Sequence, residues 1–257
     1  MKIIQPSIEF IAPINGDAIL KRLEQCGRVC YKSEDKITKD SAAKFVAGII
    51  QRGHESVLEH CSFTAKFICD RGVSHELVRH RLASYSQEST RYCNYSKGKF
   101  GGEITVVAPS FWQKNTPKWR AWENLCDASE DAYNDLLAAG ASPQEARSVL
   151  PQSLKTEVVM TANIREWRHF LRLRCDHAAH PDMRYLALKL LDQLHERVPV
   201  CFDDIWSDYC AELTAHRGGK DLQCKRCNYG TEYDIPRNFC PNCEAMLTGG
   251  ENGTTDL

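Results

Sequence analysis

The sequence predicts an α+β fold, and three observations lead there. Helical periods outnumber the short alternating runs that mark strands. The two kinds of element interleave without a strict βαβ rhythm. Proline and capping signals mark several helix starts and stops.

In order, residues 3–11 form the first expected strand. Over residues 16–31, Ile19, Leu23, Cys26 and Cys30 recur at helical spacing and predict an amphipathic helix. Asp40 or Ser41 can cap a second helix whose inner face is Ala42, Phe45, Val46, Ile49 and Ile50, ending before Gly53. Phe63, Ala65, Phe67 and Cys69 alternate with Thr64, Lys66 and Ile68, the period of a half-buried strand. A short helix is expected from Ser74 to about residue 81, then strands over residues 91–95 and 103–107. Pro117 suits the first turn of a long helix to about Ala139, stopped by Gly140. Ser142-Pro143-Gln144-Glu145 is a capping box with proline at the first helical position, and Pro151 ends the helix it opens. Residues 156–161 predict a strand and residues 165–174 a helix. Pro181 starts another helix, with Met183, Leu186, Leu190 and Leu194 on one face, and a last one is expected over residues 202–213. The pattern changes at Arg217-Gly218-Gly219-Lys220, a linker. The chain therefore divides into a large domain (1–215), a small tail (216–247) and a polar, glycine-rich flexible end (248–257).

The balance of charge narrows the function. Among 257 residues, 33 Lys and Arg face 34 Asp and Glu, which excludes a globally basic nucleic-acid binder and makes nucleic acid an unexpected partner. No apolar run reaches the roughly 18 residues of a membrane span. Residues 1–13 are interrupted by Gln5, Pro6 and Glu9, so no signal peptide is predicted and a cytoplasmic location is expected.

Nine of the 13 cysteines are scattered from Cys26 to Cys210 in apolar or helical contexts, where buried reduced thiols are expected. The other four form two knuckles, Cys224-Lys225-Arg226-Cys227 and Cys240-Pro241-Asn242-Cys243, separated by 12 residues. A two-residue gap lets both thiolates reach one metal, and two knuckles complete a tetrahedron. Four thiolates leave no open position, so the expected role is structural. Zinc is the default metal, with iron in a rubredoxin-like site as the alternative.

The chemically loaded segments are His54-Glu55-Ser56-Val57-Leu58-Glu59-His60 and residues 79–92, with Arg165, Arg168, Arg172 and Arg174 following Asn163 and Arg147 standing apart. Arginine suits places where a planar fork must grip a phosphate or a carbonyl edge. A phosphorylated, planar ligand is the inference. Arg168 and Arg172, four residues apart, are expected on a solvated outer face. No glycine-rich phosphate loop occurs, so side chains and loop amides would hold a nucleotide.

Arg79-His80-Arg81-x-x-Ser84, followed by Gln87, Ser89 and Arg91-Tyr92, resembles the signature of the flavin-dependent thymidylate synthases. The resemblance covers most of residues 1–212. It includes Arg28-Val29-Cys30-Tyr31, His54-Glu55-Ser56 with Glu59-His60, Arg147, and Asn163-x-Arg165 leading to Leu173-Arg174. It implies an antiparallel sheet flanked by helices and a homotetramer with sites built between protomers. It also implies methylation of dUMP to dTMP with methylenetetrahydrofolate as carbon donor, NADPH as reductant and FAD as hydride carrier. By the same resemblance Ser56, Arg79, His80, Arg81, Asn163, Arg165 and His169 would contact FAD, with Gln87 between flavin and nucleotide. Residues 87–91, including Glu88, would hold the nucleotide, with Ser89 and Arg91 near its phosphate and Arg147 contributing from another helix. Arg79 would also reach the substrate. Arg174 would lie against the uracil edge as the catalytic group, its charge stabilising the ring anion without an enzyme nucleophile.

The chain departs from that pattern in places. Glu76 stands where the family commonly has a glutamine facing the nucleotide, and Asp176-His177-Ala178-Ala179-His180 lacks an expected glutamine. His169 occupies a place that varies between amide and imidazole, and the four-cysteine tail is not a usual part of the family. Two alternatives follow: a related enzyme leaving a hydroxymethyl group on the pyrimidine, and a nucleic-acid or protein-binding module centred on the tail.

Overall fold

In the computed structural model of the chain, residues 1–95 and 102–210 are described. The linker at 217–220, the end of the last helix beyond residue 210, and Cys224, Cys227, Cys240 and Cys243 lie outside the described residues.

The architecture is α+β, an antiparallel sheet flanked by helices. Its four strands run in the order β2 (Ser7–Phe10), β3 (Ser62–Asp70), β6 (Lys155–Asn163), β4 (Ala83–Gln87), each antiparallel to its neighbour. Strands β3 and β6 pair along their whole length, from Ser62 opposite Asn163 to Asp70 opposite Lys155. Alternation puts Ala65, Phe67, Val158, Met160 and Ala162 on the core face. The expected first strand is two: β1 (Lys2–Ile4) leaves the sheet to pair in parallel with β5 (Thr105–Val107), and β2 begins after Pro6. Proline has no N–H to donate to a ladder, so the break falls where the sequence placed it.

Helices α1 (Gly16–Val29) and α2 (Ser41–Gln51) lie beside the sheet, followed by a short 3-10 helix, Glu55–His60. Leu23, Val46 and Leu58 are their buried contacts to the core. Gly53, at φ 70°, permits the left-handed turn that ends α2. Helix α3 (Arg71–Leu77) starts and stops earlier than expected, because Asp70 closes β3 and its carboxylate accepts the Val73 amide at 2.8 Å. Residues 91–95 are a turn rather than a strand: the amides of Tyr92 and Cys93 both donate to the Ser89 carbonyl. Strand β4 was not anticipated. Its small and polar Ala83-Ser84-Tyr85-Ser86-Gln87 carries no apolar alternation, and pairing with β6 alone makes it a strand.

Helices α4 (Pro117–Ala138) and α5 (Pro143–Ala146) follow the proline and capping signals, and the capping box is formed at Ser142 and Glu145. Asn163 ends β6 and caps α6 (Ile164–Arg174) by accepting the Glu166 amide at 2.9 Å. Helices α7 (Pro181–Arg197) and α8 (Pro199–Cys210) complete the layer; Met183, Leu186, Leu190 and Leu194 are fully buried. Trp167 of α6 stacks on Phe63 of β3 at 4.8 Å. A second cluster, around Trp119, Trp122, Tyr133 and Val106, packs α4 on the β1–β5 pair.

Cys61, Cys69, Cys126, Cys175 and Cys201 are buried cysteines, and burial pushes Cys126 to about 11 and Cys201 to about 12. Cys30, at the end of α1, is exposed instead.

Candidate active site

The capped turn between β6 and α6 opens a cavity of about 890 Å³. Arg165, His169 and Arg172 of α6, spaced four and three residues apart, point into it as one helical face. Arg81, Ala83 and Ser84 border it from the start of β4, and Glu55 and Glu59 from the 3-10 helix. Three stretches far apart in sequence thus meet at one hollow. Arg165 pairs with Glu59 at 2.6 Å, both half exposed, an ion pair that water or a ligand can displace at little cost. Ser56 is exposed on the same 3-10 turn without lining the cavity.

Behind the cavity wall His80 is buried against α6. Its Nε2 accepts the Arg174 Nε at 3.1 Å, so Nδ1 carries the proton and faces Glu166 Oε1 at 3.5 Å. Burial first, then the charges of Arg174 and His169, lower the imidazole to about 4. His80 is a neutral acceptor. Burial also raises the Glu166 carboxyl. Arg174 donates its other nitrogens to Glu76, Nη1 to the carboxylate at 2.5 Å and Nη2 to the carbonyl at 3.1 Å. Its guanidinium is therefore fixed at three points. Tyr85 locks the turn before β4, its hydroxyl lying 2.8 Å from the Leu77 carbonyl and 2.6 Å from that of His80.

His80, Glu166 and His169 offer ligand atoms within 4.8 Å of one another, the spacing of a cation site. The Arg174 guanidinium on the same imidazole opposes a second cation there, and the cluster fits a hydrogen-bonding role better.

The other expected residues sit at the far end of β4, about 13 Å along the strand at 3.3 Å per residue. Gln87 donates to Ser74 Oγ at 3.0 Å and Thr156 Oγ1 at 3.3 Å. Glu88 is held by Lys155 Nζ at 2.9 Å and the Tyr95 hydroxyl at 3.4 Å, and burial followed by the Glu88 charge raises the Tyr95 phenol. Ser89 Oγ accepts the Arg91 amide at 3.3 Å, and Arg147 Nη1 donates to Thr90 Oγ1 at 3.2 Å. Arg91 and Arg79 are exposed. A single chain thus brings Arg81, Asn163, Arg165 and His169 to one cavity, with His80 and Arg174 behind its wall. Gln87, Ser89 and Arg147 lie toward the other end of β4, and Ser56 and Arg79 do not line the cavity.

One expectation fails. Arg168 is not on a solvated face but fully buried, bidentate to Asp204 of α8 at 2.8 and 2.7 Å, while Arg172 alone is exposed. Helix α8 covers that face of α6, which the local period could not reveal. Sequence reasoning also passed over Glu166, Tyr85 and Lys155. The placement of Glu166 one turn before His169 was the available signal for the first.

This fold and this site define a class. Residues 17–200 match the family model described as Thy1, thymidylate synthase complementing protein. The chain is 36% identical over 184 residues to the flavin-dependent thymidylate synthase of Geobacter sulfurreducens, covering 69% of this chain and 78% of that protein. It is 34% identical over 172 residues to that of Pyrococcus furiosus (66% and 70% covered), and 34% over 235 residues to that of Mycolicibacterium gilvum (84% and 88%). The chain belongs to the flavin-dependent thymidylate synthase family. Among the described residues no helix is long and apolar enough to cross a membrane.

Proposed function

We propose that the protein makes dTMP from dUMP by reductive methylation, with methylenetetrahydrofolate as carbon donor, NADPH as reductant and FAD as bound cofactor. The observation that carries this is the convergence of residues 55–59, 81–84 and 161–172 on one cavity, with Arg174 tied to it through His80. The residues fit a flavin dinucleotide. The volume lies in the range of small-molecule sites, and Arg81, Asn163, Arg165 and His169 offer donors for phosphates and ring edges. When bound, the flavin supplies hydride transfer.

The chain's own part is orientation and charge. Arg174, fixed by His80 and Glu76, would present a rigid cation to the uracil edge and stabilise the ring as N3 loses its proton. The neutrality of His80 leaves that cation undiminished from its side. Ser89 has no base for a hydrogen-bond partner among the described residues, which supports phosphate contact over nucleophilic attack. Arg79 and Arg91 are exposed close in sequence to exposed Val78, Leu82 and Tyr92, with Leu173 beside Arg174. Apolar surface next to exposed cations supports a homotetramer whose protomers complete one another's sites. The tail is assigned a structural zinc on Cys224, Cys227, Cys240 and Cys243, and the enzyme a cytoplasmic location.

Incubating the purified protein with dUMP, methylenetetrahydrofolate and NADPH, then weighing the product nucleotide, tests the reaction. The Glu76–Arg174 pair favours keeping one second reading in view, because a carboxylate beside the base could change the outcome to a hydroxymethyl product. The product mass separates the two. Arg174→Ala is expected to keep the flavin and lose turnover; an active Arg174→Ala enzyme overturns the role.

A further inference from the structure

Glu166 is a buried carboxylate at the wall of the larger cavity. Such a group is costly to keep unless a partner takes its hydrogen bonds. It stands three residues after the cap Asn163, the place from which Glu145 turns back on its own cap, Ser142. Glu166 turns the other way, and its Oε1 faces Nδ1 of His80 at 3.5 Å.

The His80 ring lies between Glu166 and Arg174, which sit about two turns apart on α6. Nδ1 turns to the first and Nε2 to the second, at 3.5 and 3.1 Å. Phe170, midway between them on the same helix, meets the ring edge-on at 4.9 Å. The imidazole is thus a brace along one face of α6. Which of its nitrogens carries the proton decides what it can do there. Arg174 Nε–H can only donate, so Nε2 must be the bare nitrogen. A neutral ring then keeps its proton on Nδ1, where a buried N–H needs an acceptor. Without that acceptor the other tautomer sets an N–H against the Arg174 N–H, and the guanidinium loses one of its three anchors. Tyr85 fixes the His80 main chain at 2.6 Å, which leaves the choice of tautomer to the group at Nδ1.

We propose that Glu166 is a positioning residue for the nucleotide base: it accepts the Nδ1 proton of His80, keeps Nε2 free for Arg174, and so aims the guanidinium. The inference rests on the reading of Arg174 above and adds the Glu166–His80 pair as the device that sets its direction.

Two measurements on the purified flavoprotein test it. One is the nitrogen NMR spectrum of isotope-labelled histidine, with the His80 signals assigned from their loss in His80→Asn; the other is equilibrium titration with dUMP. The unmodified protein should show His80 protonated at Nδ1 alone. Glu166→Met fills the space without offering an acceptor. It should populate the Nε2–H form and weaken dUMP about tenfold, the worth of one hydrogen bond to a charged group. Glu166→Gln, whose amide oxygen can accept the same proton, should stay within about threefold. In an Arg174→Ala background Glu166→Met should add no further loss of dUMP binding, whereas a merely structural role would add its full effect. An Nε2–H tautomer in the unmodified protein overturns the proposal, so the matter is decided even if Glu166→Met does not fold. Equal losses in the Met and Gln variants, or an additive loss in the Arg174→Ala background, overturn it as well. So does unchanged dUMP affinity in a Glu166→Met enzyme that makes dTMP. A tautomer that follows Glu166 in a protein that transfers no one-carbon group supports the brace and sinks the thymidylate reading instead.

Discussion

Removing Asp204 should destabilise the protein more than removing the arginine it holds. Arg168 is fully buried, and its guanidinium makes two bonds to the Asp204 carboxylate and one to the Cys201 carbonyl. Its approaches to Glu55 are long, at 3.4 Å. Burial works against the Asp204 charge, yet the Arg168 hydrogen bonds and charge hold its carboxyl below the ordinary value. Asp204→Ala leaves a buried cation with one neutral acceptor and a distant acid. Breaking such a pair costs about 3–5 kcal/mol when both partners are buried. Asp204 is 44% exposed, so water can enter behind it, and a cost at or below the bottom of that range, about 2–3 kcal/mol, is the expectation. Arg168→Met removes the buried charge instead, and Asp204 keeps Arg172 at 2.9 Å, so it should cost less. Arg172→Gln removes a half-exposed guanidinium that pairs with Asp204 at 2.9 Å and, at a longer 3.5 Å, with Glu55, and should stay within about 0.5 kcal/mol. Urea unfolding at fixed protein concentration measures all three, provided the m-value is unchanged. The reasoning fails if Asp204→Ala costs no more than Arg172→Gln, or if Arg168→Met is the worst of the set.

Three further outcomes can be checked. His80 is lowered to about 4, so the stability it contributes is present above its unfolded value near 6.5 and is lost as pH falls toward 4. The stability difference between the unmodified protein and His80→Asn should shrink by up to about 3 kcal/mol from pH 7 to pH 4. Burial raises Glu166, Asp70 and Asp182 and pulls the other way in both proteins, so a flat difference would show that His80 takes up its proton as readily in the fold as in the unfolded chain. Tyr85→Phe frees two carbonyls around the Arg79–Arg81 turn; about 1 kcal/mol of stability and a larger share of bound flavin should be lost, read by unfolding and by absorbance. Glu76→Gln removes the anion that shares the Arg174 charge, so nucleotide titration should show tighter dUMP binding, and weaker binding would mean the carboxylate itself serves the substrate.

How much of this was legible in the chain depends on whether the cause of each feature is local. Asn15, Asp70, Thr116 and Asn163 each accept an amide at the start of a helix, and Gly53 and Gly140 take the positive φ that stops one. Such signals act over three or four residues, and the helix boundaries they set were read to within a few positions wherever they were noticed. Strand β4 has no such cause. Tyr85 is its one large side chain, and what orders it is a ladder to β6 some 75 residues downstream, from Ala83 opposite Ala162 to Gln87 opposite Val158. The site divides in the same way. Motif residues such as His80 and Arg174 could be named from the sequence, but their state could not: it takes the fold to bring Arg174 to the Nε2 of His80 and so to make that ring neutral. Arg168 shows the limit most sharply. Its spacing from Arg172 is that of a solvated helical face, and both side chains do lie on one side of α6. Only α8, returning with Asp204 and the Cys201 carbonyl, separates a core cation from a surface one, and nothing within residues 165–174 carries that information.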